Sequence, residues 1–272
     1  MRLELEGVSL YYEQHGDGPD VVWVSGGGGR HTAWAWQLPA FTPRFRCTTF
    51  DNRGIGETRT PDDAPFTIAA MAADAAGLIE AVCDPPVAVV GHSMGAFIAL
   101  ELGLTRPELL RCAVASGGAA TGSRGWLGDY MGAEVELRRR GGRLDGMMAI
   151  THYAAQLYPA AVLGDADAWR RIRDWHVEVG FVDNNEQSLI PQWQACIDFD
   201  VVDRLPGWAG VPLHVFVYDQ DVQAPPQYGK EVADGVPGAE YHLFEGMGHC
   251  SVYGHAHDRL NPEIERVVRR YV

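Results

Sequence analysis

The sequence predicts an α/β fold in which a mostly parallel, twisted sheet carries helices on both faces. Short apolar runs that are typical of buried parallel strands occur at residues 21–25, 46–50, 87–91 and 110–117. The alanine-rich stretch 67–83 predicts a helix capped by Thr67, and 94–107 predicts a second helix that ends at Pro107. Strands that alternate with helices in this order are typical of a mainly parallel sheet.

The two ends of the chain supply the other elements of the predicted sheet. Residues 2–6 and 8–14 alternate polar and apolar side chains, which indicates two antiparallel strands with Gly7 at the bend. Beyond residue 208 the same reasoning predicts strands at 212–218 and 239–244, and helices near 226–234 and 256–271.

The alternation stops between Ala119 and Trp208, where no strand pattern is apparent. A segment of about ninety residues is much longer than an ordinary crossover needs. We therefore predict a core domain formed by residues 1–118 and 209–272, and a helical cap formed by residues 119–208. This cap segment is rich in aromatic side chains, among them Trp126, Trp169, Trp175, Phe181 and Trp193.

The composition excludes several classes of function. Hydrophobic residues make up 46% of the 272, which is enough for a sizeable core. The net charge of −14 repels nucleic acid and anionic membranes. The N-terminus has no apolar signal region and no stretch is long enough to span a membrane, so a cytoplasmic protein is expected. Five scattered cysteines without a CxxC pair predict buried thiols, no disulfide framework and no zinc site.

Four consecutive glycines, residues 26–29, follow the strand at 21–25. Such a turn is typical of backbone with positive φ or of close approach to a ligand. A P-loop is excluded because no Lys-Ser/Thr pair follows, and a dinucleotide site is excluded because the G-x-G-x-x-G spacing and the later acid are missing. The remaining interpretations are an oxyanion hole and a merely flexible loop.

The pentapeptide "GHSMG" at 91–95 lies between a predicted strand and a predicted helix. In that context G-x-S-x-G is the signature of a nucleophilic serine on a sharp turn, with glycines that leave room for it. The alternative is that Ser93 only caps the helix between two packing glycines. The strand–turn–helix context favours Ser93 as a nucleophile.

A serine hydroxyl needs a base, and in this arrangement the chain order is Ser, acid, His. His249 follows the last predicted strand and is therefore the candidate base. His92 adjoins Ser93, but the tight turn is expected to direct its side chain away. The acid is expected after the strand at 212–218, where Asp221 is the better candidate because it lies at the loop tip before Pro225. Asp219 comes earlier and is expected only to shape the turn.

Together with these motifs, "FRCTTFDNRGIGETRT" and "GHSMGAFIALEL" resemble stretches of the α/β-hydrolase superfamily. The resemblance covers the whole chain except the cap segment. Within the superfamily the sequence is most similar to the cofactor-free non-haem bromoperoxidase or perhydrolase branch, with 3-oxoadipate enol-lactonases as neighbours. It implies that the backbone amides of Gly27 and Met94 form an oxyanion hole. Ser25 stands where the family commonly has histidine, and Asp51 and Arg53 are expected to tie loops together.

The sequence therefore predicts a serine hydrolase that cleaves an ester or lactone of a small, largely apolar substrate through an acyl-enzyme. No metal and no organic cofactor is implied. Two alternatives stay open: a perhydrolase that uses the same residues with peroxide in place of water, and a non-enzymatic ligand receptor on the same fold.

Overall fold

The computed structural model of the chain describes residues 1–178 and 186–272. Its centre is an eight-stranded sheet in the order β1-β2-β4-β3-β5-β6-β7-β8. The strands are β1 (Arg2–Leu5), β2 (Val8–His15), β3 (Asp20–Val24), β4 (Arg46–Phe50), β5 (Val87–His92), β6 (Leu110–Ser116), β7 (Leu213–Tyr218) and β8 (Glu240–Phe244).

Ten α-helices connect or flank these strands in the described part of the chain. They are α1 (Leu38–Phe41), α2 (Ile68–Val82), α3 (Met94–Thr105), α4 (Gly125–Arg139), α5 (Gly146–Leu157), α6 (Ala160–Gly164), α7 (Ala166–Glu178), α8 (Glu186–Ile197), α9 (Pro226–Gly235) and α10 (His257–Val268). Short 3₁₀ helices span His31–Trp36, Pro107–Leu109 and Val202–Gly207.

The sheet has the predicted character. Strands β1 and β2 pair antiparallel, as do β2 and β4, and every other neighbouring pair is parallel. Strand β4 coincides with the apolar run 46–50, and helix α2 starts after Thr67, whose hydroxyl accepts a hydrogen bond from the Ala70 amide at 3.0 Å. The predicted α/β-hydrolase fold is thus confirmed.

Helices cover both faces of the sheet and bury one core on each side. One core joins the sheet to α2, α3 and α9, and the other joins it to α1 and α10. Strands β3 and β5 are buried along their whole length, which explains why they appear in the sequence as continuous apolar runs. This arrangement brings the carboxyl ends of β3, β5, β7 and β8 to one edge, where the predicted functional residues follow them.

The segment between β6 and β7 contains α4 to α8. Within its described residues it forms no named strand and only one isolated bridge, between Thr121 and Asp200. Helix α4 and helix α5 are separate because the chain leaves the helical conformation around Gly141, which has φ of 76°. None of the described helices is both long enough and apolar enough to cross a membrane.

Candidate active site

Ser93 occupies the sharp turn between β5 and α3. Its φ of 56° and ψ of −120° make it the single non-glycine residue with positive φ in the described ranges 1–178 and 186–272. A Cβ on Gly91 would overlap the Gly95 carbonyl, and one on Gly95 would overlap the Val24 carbonyl. The two glycines are therefore required for the close packing of the turn, and the strained serine is held at the amino end of α3.

His249 and Asp221 form a buried pair at the carboxyl ends of β7 and β8. The His249 Nδ1 atom lies 2.7 Å from Asp221 Oδ2, and both side chains are almost fully buried. The other carboxylate oxygen, Oδ1, accepts hydrogen bonds of 2.8 Å from the backbone amides of Gln223 and Ala224. The carboxylate is thus fixed by three hydrogen bonds, and one of them fixes the imidazole ring.

The structure brings Asp221, and not Asp219, to His249. Asp219 lies at the exposed end of β7, where its Oδ1 accepts a hydrogen bond of 3.1 Å from the Met247 amide. It therefore shapes the loop that carries His249, which agrees with the turn role expected of it.

Ser93 and His249 line the same cavity, which is also lined by side chains of α4, α5, α7 and α8. In the described part of the chain the buried His249 Nε2 atom has no hydrogen-bond partner, so the Ser93 hydroxyl is not bonded to it in this structure. Hydrogen bonds between a nucleophile and its base are often longer without substrate and tighten when the substrate binds. The free Nε2 atom is available to accept a proton from a group in the cavity.

His92 is closer to the site than the sequence predicts. Its ring does not point away: it lines the cavity, and its centroid lies 4.9 Å from that of His249. The His92 Nδ1 atom lies 3.2 Å from Ser116 Oγ, which in turn lies 2.6 Å from the Tyr218 hydroxyl. Complete burial, together with the nearby His249, holds the pKa of His92 well below its usual value. A neutral His92 ring therefore packs beside His249.

The glycine loop differs in detail from the expected geometry. Positive φ is needed at Gly28, where φ is 70°, and not at Gly27. Gly27 lacks a side chain for another reason: a Cβ there would lie 2.8 Å from the Trp193 ring of α8. At Gly26 a Cβ would lie 3.1 Å from the Ser93 Cβ atom. The glycines thus let the loop approach both the candidate nucleophile and the cap segment.

Two polar side chains that sequence reasoning missed brace this loop. Gln192 of α8 is fully buried, accepts a hydrogen bond of 2.9 Å from the Gly28 amide and donates one of 2.8 Å to the Arg53 carbonyl. Asn52 donates to the Ser25 carbonyl at 3.2 Å, and Ser25 donates to the Arg30 carbonyl at 3.1 Å. These bonds hold the loop that begins with Ser25 in place of the common histidine.

Asp51 and Arg53 have the structural contacts expected of them. The carboxylate of Asp51 accepts from the His31 amide at 2.6 Å and from the Glu57 amide at 2.8 Å, and so joins the glycine loop to its own loop. Arg53 forms a buried, bidentate ion pair with Asp74 of α2, in which its Nε and Nη2 atoms donate to the two carboxylate oxygens at 2.5 and 2.8 Å.

The aromatic residues of the cap segment have different surroundings. Trp175 and Trp193 line the cavity, Trp169 packs against the core that includes α10, and Trp126 is half exposed. Phe181 lies outside the described residues. All five cysteines are buried and unpaired, as predicted, and burial raises the pKa of the Cys47 thiol to about 11.

A serine at a strand–helix turn and a buried His–carboxylate pair, both at the carboxyl edge of a mostly parallel sheet with helices on its two faces, are typical of the α/β hydrolases. The chain matches the model of the alpha/beta hydrolase family over residues 21–263, and it belongs to that family.

Two curated relatives are similar over almost the whole chain. BpoC of Mycobacterium tuberculosis, which is named as a non-heme bromoperoxidase, is 34% identical over 253 residues, 90% of this chain and 92% of BpoC. RutD of Stutzerimonas stutzeri, which is named as a carbamate hydrolase, is 27% identical over 247 residues, 89% of this chain and 90% of RutD.

Solved structures agree with this placement. The structure of BpoC from Mycobacterium tuberculosis H37Rv has a TM-score of 0.84 at 31% identity and covers 94% of each chain. The enol-lactonase of Burkholderia xenovorans LB400 has a TM-score of 0.84 and covers 98% of each chain, and at 22% identity it shows a shared fold alone. The predicted resemblance to the bromoperoxidase branch, with enol-lactonases as neighbours, is confirmed.

Proposed function

We propose that this α/β hydrolase cleaves an ester or lactone through an acyl-enzyme formed on Ser93. The observation that carries the proposal is that Ser93, on its strained turn, lines the same cavity as His249, whose other ring nitrogen is held by Asp221 at 2.7 Å. His249 is then the base and later the acid, and Asp221 is the group that orients it.

In the proposed reaction the Ser93 hydroxyl attacks the substrate carbonyl carbon and its proton passes to His249 Nε2. The tetrahedral intermediate collapses, the leaving alcohol takes the proton from His249, and the acyl group stays on Ser93. A water molecule then attacks the acyl carbon, again giving a proton to His249, and the acid is released with Ser93 restored. Asp221 stays ionised throughout and stabilises the imidazolium.

The proposed oxyanion hole consists of the Gly27 and Met94 amides. In the part of the chain that the structure describes, neither amide donates to a protein acceptor, whereas the Gly28 and Gly29 amides are used by Gln192 Oε1 and the Gly26 carbonyl. The Met94 amide also lies at the amino end of α3, where the helix dipole favours negative charge. Two such free donors beside Ser93 are suited to an oxygen that becomes negative in the transition state.

We propose that residues 119–208 act as a cap that selects a small, largely apolar substrate. Leu157, Leu189, Trp175 and Trp193 of this segment line the cavity over Ser93. Two arginines and a glutamine also line the cavity, so shape and apolar contact would act together with a small number of polar groups in selecting the substrate.

A second candidate function is perhydrolysis, in which peroxide replaces water as the acyl acceptor. The 34% identity to BpoC, with its bromoperoxidase name, is the observation that favours it. Both reactions use the same acyl-enzyme, so the proposed roles of Ser93, His249 and Asp221 are unchanged.

A panel of p-nitrophenyl esters, lactones and carbamates, assayed alongside peracid formation from the corresponding carboxylic acid and peroxide, tests both functions. We expect turnover of short-chain esters or lactones well above the uncatalysed rate. Peracid formation that exceeds ester hydrolysis would favour the second function. No turnover in any arm would support a ligand receptor and contradict the proposal.

Gly27→Val tests the proposed oxyanion hole. The added side chain meets the Trp193 ring, so either the loop or the ring must move, and the Gly27 amide loses its position. We expect kcat to fall by about 10²–10³-fold, as when one oxyanion donor is lost, while KM changes little. Steady-state kinetics on one good ester measures this.

The control is Gly29→Ala, whose Cβ would lie at 3.1 Å from the Gly26 carbonyl oxygen and from the Ser25 Cβ, and which should be milder. A Gly27→Val enzyme with raised KM but kcat within about threefold of wild type would identify the loop as a binding element instead.

Gln192→Leu tests the brace between α8 and the glycine loop. Leucine cannot make the two buried hydrogen bonds that Gln192 forms with the Gly28 amide and the Arg53 carbonyl. We expect the free energy of unfolding to fall by about 1–3 kcal/mol, and kcat to fall by up to about 10²-fold because the loop shifts. Urea denaturation and ester kinetics measure the two effects.

Gln194→Leu is the matched control on the same helix. The Gln194 side chain bonds only to the exposed Asp198 and Arg139 among the described residues. Gln194→Leu should leave the free energy of unfolding and kcat close to their wild-type values. Equal effects of the Gln192 and Gln194 variants would count against a specific brace.

A further inference from the structure

At the end of the sheet opposite the cavity over Ser93, three side chains bring atoms that can ligate a metal close together. In the parallel pair β7–β8, His214 is opposite Glu240, and Phe216 is opposite His242. Residues two apart on a strand share a face, so His214, Glu240 and His242 lie together on the face covered by α10. His214 is the second residue of β7, whereas Asp221 follows the other end of that strand. The cluster is thus separate from the cavity over Ser93.

The three atoms form a compact triangle. His214 Nδ1 lies 3.0 Å from His242 Nε2 and 3.7 Å from Glu240 Oε2, and His242 Nε2 lies 3.9 Å from the same oxygen. A point equidistant from all three lies about 2.1 Å from each, which matches Zn–N and Zn–O bond lengths. Within the described residues this is the one group of three such side chains whose ligand atoms meet.

We propose that His214, His242 and Glu240 bind one divalent transition-metal ion of the zinc class. Two imidazoles and one carboxylate, with water in a fourth position, are a common ligand set for that ion. The side chain of His214 is 1% exposed and that of Glu240 is 41% exposed, so the ion enters from the Glu240 side.

A second contact supports the site. The other ring nitrogen of His214, Nε2, lies 3.0 Å from the Tyr271 hydroxyl. When Nδ1 binds the ion, Nε2 carries the hydrogen and donates it to Tyr271, which fixes the tautomer and the ring plane as outer partners of metal-bound histidines do. The ion would tie β7 to the edge strand β8 and to the C-terminal tail.

Arg270 competes with the ion. Its guanidinium donates to both oxygens of Glu240, at 2.8 and 2.9 Å. Both side chains are more than two-fifths exposed, and such surface pairs contribute little to stability. Removing Arg270 should therefore strengthen ion binding, whereas removing a ligand should weaken it.

The expectation from the cysteine pattern, that no zinc site exists, does not extend to this cluster. It rests on thiolate spacing only, and these ligands come from two paired strands whose facing residues, His214 and Glu240, are 26 positions apart in the sequence.

The experiment uses the full chain without a histidine tag, stripped with a chelator and titrated with Co²⁺ while its visible absorption is followed. We expect saturation at one ion per chain, displacement by Zn²⁺, and a rise in Tm of about 5–10 °C at Zn²⁺ concentrations near 100 Kd.

Variants locate the ion. His242→Ala should weaken Co²⁺ binding by at least about 100-fold and Glu240→Gln by about 10-fold, whereas Arg270→Gln should tighten it. His15→Ala, which removes an exposed histidine paired with Glu13 on β2, far from β7 and β8 in the strand order, should leave Co²⁺ binding unchanged. Absence of Co²⁺ absorption up to millimolar concentration, or unchanged binding by His242→Ala, would overturn the proposal and leave a hydrogen-bonded histidine pair. Neither result depends on esterase activity.

Discussion

Ser93→Ala is expected to lower kcat for a p-nitrophenyl ester by about 10⁶-fold, because the acyl-enzyme cannot form without the hydroxyl. Alanine keeps the Cβ atom and the same backbone strain at φ of 56°, so folding should be unaffected. A fluorophosphonate probe should label wild type at Ser93 and leave the variant unlabelled, as read by mass spectrometry. Ser188→Ala, on α8 and outside the cavity lining, is the matched serine control and should be labelled and active like wild type.

Ser93→Gly extends this test to stability. A non-glycine residue at such a backbone conformation costs on the order of 1–3 kcal/mol, and glycine removes most of that cost. The Tm of Ser93→Gly should therefore exceed that of Ser93→Ala, while both are inactive. A label on another serine, or activity retained by Ser93→Ala, would show that the nucleophile lies elsewhere.

The fold and the candidate residues were accessible from sequence because each has a local signal. Buried parallel strands appear as uninterrupted apolar runs, and the Ser93 turn requires glycines two residues to either side of the serine. His249 and Asp221 are found by their position after particular strands, and the structure places them in contact at 2.7 Å.

The remaining contacts have no local signal. Gln192 is one of three glutamines between 187 and 194, and only the packing of α8 onto the core identifies it as the brace of a loop 164 residues earlier. The tight turn was expected to direct the His92 side chain outward, but the ring packs on His249. The reason for a glycine at position 27 is likewise the Trp193 ring, which no backbone rule anticipates. The His214–His242 pair also has no local signal, because it depends on the register of β7 against β8.

Asp221→Asn is expected to lower kcat by about 10⁴-fold, as when the triad acid is replaced by its amide. The structure gives the reason. The Gln223 and Ala224 amides both point at Oδ1, so an asparagine must place its carbonyl oxygen there and turn its NH₂ group toward His249. His249 Nδ1 would then have to accept a hydrogen bond, and the proton would move to Nε2. The ring could no longer take a proton from Ser93, although every other contact is preserved.

Asp219→Asn separates this effect from a general disturbance of the same loop. The oxygen of an asparagine at 219 can still accept from the Met247 amide, so the loop that carries His249 keeps its support. We expect a loss of less than about tenfold, well below the cost of losing the orienting acid, with unchanged melting temperatures for both variants. kcat measured across pH 5 to 9 distinguishes the two positions, because a wrong tautomer cannot be rescued by raising the pH. If Asp219→Asn were the more damaging change, His249 would be oriented from the end of β7, and the hydrogen bonds that hold Asp221 would serve the turn alone.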